Sequence, residues 1–154
     1  MKKLCYLLLV LSLASCYFED SFEEHKDFNG KAWHTDSLVD ISLKSIDSLK
    51  KHDIDIIIRH NINYEYQNIF IFVYYDNNKD TLELNMANLK GKWLGNGVGN
   101  IRKIRYNYKK GVVFKKTKNE KLQIEQAVRY GDEEKIIELL NIESVGIKII
   151  THEN

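Results

Sequence analysis

In the stretch DIDIIIRH, from Asp53 to His60, the residues Ile54, Ile56 and Ile58 sit at alternate positions. An extended backbone stacks all three on one face, whereas a helix scatters them. The same period of two recurs along the chain. Leu38 to Ile46 alternates through Val39, Ile41 and Leu43; Leu82, Leu84 and Met86 alternate with Glu83 and Asn85; and Ile104, Tyr106 and Tyr108 alternate with Lys103, Arg105 and Asn107. Val112 to Phe114 and Leu122 to Val128 add two more strands, the latter with Leu122, Ile124, Gln126 and Val128 on one face. Near the end, Val145, Ile147 and Ile149 point one way, and IFIFVYY, from Ile69 to Tyr75, is apolar on both faces as a central buried strand would be. Such short strands bury their apolar rows best as two facing sheets. The expected architecture is a mostly β domain, an antiparallel β-sandwich of immunoglobulin-like or jelly-roll-like form. One short helix near the C-terminus completes it, capped by Asp132 after Gly131, with Glu133 and Glu134 in its first turn and an Ile136, Ile137, Leu139, Leu140 stripe.

Burial alone has to hold that fold. The two cysteines, Cys5 and Cys16, both lie within the first sixteen residues. Lys2 and Lys3 followed by an apolar run to Ser15 form a bacterial export signal, and that run is shorter than the roughly 20 residues a membrane-crossing helix needs. Leu13, Ala14 and Ser15 directly before Cys16 give the order of a lipoprotein cleavage site. In that pathway residues 1–15 are removed and Cys16 carries the lipid as a thioether, so no thiol remains for a disulfide. A single acyl chain anchors only marginally, and several chains on one residue anchor stably.

About 140 residues remain, which suits one domain. Residues 16–30 are acidic and lack periodicity, so they read as a tether, with some docking by Tyr17, Phe18, Phe22 or Phe28; the domain occupies residues 31–154. Losing Lys2 and Lys3 leaves a net charge near −1, with no global attraction to nucleic acid. Charge is uneven along the chain all the same. Glu19 to Asp55 holds ten acids against five lysines, and Arg102 to Lys121 holds nine cations against Glu120. The basic segment reads as a solvated sheet face, with anionic lipid or an acidic partner as the alternative.

The chain shows no constellation for catalysis. Asp76, Asn78 and Asp80 open like a calcium loop, but Thr81 and Ala87 stand where glycine and a bidentate glutamate are required, and a hairpin turn explains the same residues. GKWLGNGVG, from Gly91 to Gly99, leads into a strand rather than a helix, so it is a close-packed glycine loop under Trp93 instead of a phosphate cradle. His25, His34, His52, His60 and His152 lack ligand spacing, which predicts no metal site, and no serine sits in a nucleophile elbow. The expected protein is not an enzyme and takes no cofactor beyond the lipid on Cys16.

IIIRHNINYEYQNIFIFV (Ile56 to Val73), DTLELNMANLKGKWLGNGVGNI (Asp80 to Ile101), LQIEQAVRYGD (Leu122 to Asp132) and SVGIKI (Ser144 to Ile149), together with the lipid-attachment sequence, resemble the GldH family of gliding-motility lipoproteins of the Bacteroidota. The resemblance runs in ordered blocks over nearly the whole mature chain. Its hallmarks are Arg59, His60, Tyr64, Tyr66, Asn68, Gly91, Trp93, Gly95, Gly97, Gly99, Gln126, Arg129 and Gly146, none of them catalytic. What it implies is an envelope lipoprotein, most consistent with the outer membrane, that supports gliding motility or the assembly of type IX secretion machinery. The expected partners are the membrane, through the lipid, and other envelope lipoproteins or secretion and motility subunits. Contacts are expected at Arg59, His60, Tyr64, Tyr66, Asn68, Trp93, Gly95 and Gly97. The alternative is a surface glycan-binding lipoprotein using Trp93, since the early acids Glu19, Asp20, Glu23 and Glu24 resemble surface-export signals of this phylum.

Overall fold

A computed structural model describes residues 21–115, 120–129, 131 and 135–152. Ten strands make up the fold: β1 (Ser21–Asp27), β2 (Trp33–His34), β3 (Val39–Ser42), β4 (His52–Asn61), β5 (Asn68–Tyr75), β6 (Asn78–Asn85), β7 (Ile101–Val112), β8 (Lys121–Gln126), β9 (Glu138–Leu139) and β10 (Ile142–Thr151). They form two four-stranded antiparallel sheets, ordered β1-β10-β4-β7 and β3-β8-β5-β6, plus the small pair β2-β9. The arrangement is sandwich-like, with the buried faces of both sheets contributing to one core.

The alternating rows fill that core. Ile54, Ile56 and Ile58 of β4 lie beside Val145, Ile147 and Ile149 of β10 in the first sheet, and Ile69, Ile71 and Val73 of β5 lie with Leu122 and Ile124 of β8 in the second. All eleven of those side chains are solvent-free, so removing one of the large ones costs about 2–5 kcal/mol. Trp33 is fully buried, stacks on Phe28 at 5.3 Å and donates its indole N–H to Ser37 O. The β5 strand is interior to its sheet as expected, but Phe70, Phe72 and Tyr74 on its second face are half-exposed rather than buried. The turn between β5 and β6 puts Asp76 and Asn77 at positive φ, the geometry of a tight hairpin, in agreement with the sequence.

Two expectations are corrected. No described residue is helical. Asp132, Glu133 and Glu134 lie outside the described residues, but Ile136 to Leu140 run extended and include β9. Leu139 is buried while Ile137 and Leu140 are exposed, so the apolar residues do not form one buried stripe. The backbone there is claimed by distant partners: Ile136 N–H donates to Val128 O, the buried Gln126 Nε2 donates to Ile136 O, and Thr35 N–H donates to Ile137 O. Tertiary pairing thus overrides a helical spacing. The second correction concerns the stretch read as a tether. Its residues 21–27 form β1, paired along its length with β10, and Phe22 packs on the core. An edge strand with one half-buried aromatic and a wet face carries little periodic signal.

The uneven charge is balanced in three dimensions. Asp55 of β4 is almost fully buried, accepts from Arg105 Nε, and accepts from Asn107 Nδ2 at 2.9 Å, both on β7. Lys103 meets Glu23 at 2.7 Å and Lys121 meets Asp40 at 3.2 Å. The acidic segment and the basic segment therefore neutralise each other across the sheets, so the basic run forms an ion-paired sheet face.

Candidate functional site

Strand register defines two poles. One holds the start of β1 with Asp53, Ile150 and Val112, and the other holds the end of β4, the turn after it, and the glycine loop before β7. Every candidate residue within the described residues falls at the second pole. Cys16 lies outside the described residues.

Adjacent strand positions face opposite sides, and this splits the candidates. His60 points inward and is fully buried; Arg59 points out from the other face and is exposed. Around His60 an aromatic cluster assembles. Its ring meets Trp93 edge-on at 4.8 Å and Tyr64 at 5.8 Å, and Tyr64 meets Tyr66 at 5.6 Å. Such edge-to-face contacts are each worth about 0.5–1.5 kcal/mol beyond burial. Tyr64 donates to Asn68 O at 3.1 Å, and Asn68 Nδ2 donates to Glu83 at 2.7 Å, which joins the turn to the β5-β6 hairpin.

The chemistry of His60 follows from its one bond. Nδ1 donates to Asn61 O at 2.9 Å, because a carbonyl can only accept, so Nε2 is the bare nitrogen and has no partner among the described residues. Burial, with a smaller repulsion from Arg102, holds its pKa below the ordinary histidine value despite that hydrogen bond. Burial likewise pushes the Tyr64 hydroxyl far above the usual tyrosine range. Burial thus favours the neutral forms of both groups within the aromatic packing.

The glycines explain the loop. A Cβ on Gly97 would sit 1.9 Å from Ile101 O, and one on Gly95 would sit 2.3 Å from Lys103 O with φ already at 76°. The loop therefore folds flat on the start of β7, where Asn96 exchanges backbone hydrogen bonds with Lys103. Trp93 is half-buried, and its ring is tilted 53° from Tyr64, so the rings do not form one flat stacking platform.

On the outer face, Arg59 and Gly97 share a cleft of about 390 Å³ with Ile57, Val98, Ile101 and Ser144, and the Lys103–Glu23 pair also lines it. Arg59 has no ion-pair or hydrogen-bond partner among the described residues. The sequence reading passed over Leu89 and Val98, which stand at two tips of the loop, 101% and 92% exposed. Their signal was available: a lone apolar residue inside a glycine, asparagine and lysine loop has no core to join. Ile137 and Leu140, freed by the extended backbone, add two more exposed apolar side chains at this pole. No group of three or more His, Cys, Asp or Glu side chains among the described residues is placed to hold a metal.

Comparison with known proteins agrees with the sequence blocks. Residues 20–149 match the GldH lipoprotein family. The chain is 38% identical over 149 residues to the gliding motility lipoprotein GldH of Flavobacterium johnsoniae, covering 93% of this chain and 92% of that one. It is 35% identical over 155 residues to a protein of Christiangramia forsetii named a gliding motility lipoprotein GldH homolog, covering 97% and 94%. No solved structure matches.

Proposed function

The chain belongs to the GldH lipoprotein family, and on that premise we propose that it is a non-enzymatic outer-membrane lipoprotein supporting gliding motility or type IX secretion machinery through protein contacts. The lipid on Cys16 confines the domain to a membrane plane, which raises its effective concentration near other anchored subunits, so modest contacts suffice. Those contacts are made by the pole that carries the aromatic cluster.

The observation that carries this reading is Arg59, without an ion-pair or hydrogen-bond partner among the described residues, in a cleft that Ile57, Ile101 and the Lys103–Glu23 pair line together with Val98, which stands on a loop that glycines pin in place. A guanidinium beside apolar walls suits a carboxylate of a partner chain, and a rigid loop loses little entropy on docking. The glycan alternative needs exposed, coplanar rings. Trp93 instead packs on His60 and is tilted from Tyr64, so it supplies no such platform.

The test is replacement in the chromosome. Cys16→Ala is expected to abolish palmitate labelling and release the protein from the membrane fraction. Arg59→Glu is expected to keep labelling and abundance but stop colony spreading or secretion. Wild-type spreading and secretion from a stable Arg59→Glu protein would defeat the proposed contact.

A further inference from the structure

The pole opposite the aromatic cluster has the makings of a membrane-contact surface. The loop between β3 and β4 presents Leu49 at 85% exposure, and Lys44, Lys50 and Lys51 around it have no ion-pair partner among the described residues. This is a built tip. Asp47 Oδ1 accepts from Leu49 N–H at 2.9 Å, the fully buried His52 donates from Nε2 to Asp47 O at 2.6 Å, and the His52 ring packs on Phe114 at 5.1 Å. Lys51 O accepts from His152 N–H, tying the loop to the end of β10. Across the pole, Val113 is half-exposed beside Lys110.

Chain length fixes which pole meets the bilayer. Ser21 pairs with Ile150, which pairs with Asp53, so β1 starts at the Leu49 pole. From Cys16 to Ser21 an extended chain reaches at most about 18 Å. The ten residues of β4 from one pole to the other span about 30 Å. A lipid on Cys16 thus cannot reach the bilayer from Ser21 if the domain stands on its aromatic pole.

We propose that the loop holding Leu49, Lys44, Lys50 and Lys51 docks on the anionic phospholipid surface that holds the protein's own lipid, standing the domain with its aromatic pole outward. Leu49 enters the headgroup boundary, and the lysines face the lipid phosphates. Cations near an anionic surface are drawn to it, and three of them, opposed in the loop by Asp47 alone, bias the orientation of a domain already tethered. The proposal rests on lipidation at Cys16 and deepens the assembly reading, because it makes the pole bearing Arg59 the accessible one.

The test uses the mature lipoprotein, whose Cys16 is a thioether, so that one introduced cysteine is its only thiol. Ser45→Cys in the loop, or Ser48→Cys if that variant is poorly produced, and Leu89→Cys at the other pole each take a polarity-sensitive fluorophore. The proteins are reconstituted in vesicles of phosphatidylethanolamine with phosphatidylglycerol. The loop label is expected to shift to shorter wavelength, the Leu89→Cys label to stay water-like, and Lys50→Glu with Lys51→Glu to reduce the shift. A protein that floats with the vesicles while its loop label stays water-like overturns the docking and leaves the anchor intact, as does a shift at Leu89→Cys alone. A protein that fails to float overturns the anchor and the docking together.

Discussion

The two poles of this domain solve different problems with similar parts. Each has a buried histidine on β4 that bonds one backbone carbonyl through one ring nitrogen and packs against an aromatic ring, His52 on Phe114 and His60 on Trp93. At the Leu49 pole that histidine braces a short loop that presents three lysines and one leucine beside Ser45 and Asp47. At the other pole it anchors a cluster of three aromatics, two glycines that admit no Cβ, and four exposed apolar side chains. The difference separates packing from display: interior aromatics hold the loops still, and the residues that project from them stand in solvent.

Breaking the cluster is the largest expected effect. Tyr64→Ala removes a buried ring from the aromatic pole and is expected to cost about 3–5 kcal/mol in urea unfolding. Leu49→Ala at the other pole is expected to stay within about 0.5 kcal/mol, as for other exposed sites. Equal losses would erase the distinction between the poles.

Between them lies Asp55, whose carboxylate is 3% exposed while its partner Arg105 is 47% exposed. Removing one partner of a buried pair costs about 3–5 kcal/mol. Because the arginine is half in water and Asn107 remains, Arg105→Ala is expected near or below the low end of that range by the same unfolding measurement.

The pH dependence is smaller and belongs to the aromatic pole. His60 has a folded pKa below that of the unfolded chain, so as pH falls through about 6.5 the unfolded state binds a proton that the folded state refuses. Stability is full above that value and declines toward the folded pKa, by at most about 1.4 kcal/mol per pH unit. His60→Phe, which keeps a ring beside Trp93, is expected to flatten this part of the profile. Asp80, held low by hydrogen bonds from Tyr108 and Lys109, and Asp53, held low chiefly by its hydrogen bond with His152, add a second decline below about pH 4. The least stability change is expected from Arg59→Ala, within about 0.5 kcal/mol, with the loss appearing in function instead.

Most of the strands could be read from the sequence because sheet burial imposes a period of two, as in Ile54 to Ile58 and Val145 to Ile149. What escaped had no local cause. Ile136 to Leu140 fit helical spacing, and only the remote carbonyls and amides of Val128, Gln126 and Thr35 draw them straight. Residues 21–27 look unstructured until β10 lends them partners. The site was partly visible: the adjacency of Arg59 and His60 already requires opposite faces once β4 is a strand. Which acids would meet which lysines depended on strand order, which period-two patterning does not encode.

The proposed arrangement sets the aromatic pole against other proteins and the Leu49 pole against lipid. A photoreactive amino acid at Val98 or at Leu49, irradiated in living cells that carry the lipidated protein at its native level, tests this directly. Val98 is expected to give discrete protein adducts that Arg59→Glu removes, and Leu49 to give none. Protein adducts at Leu49 with none at Val98 would contradict it.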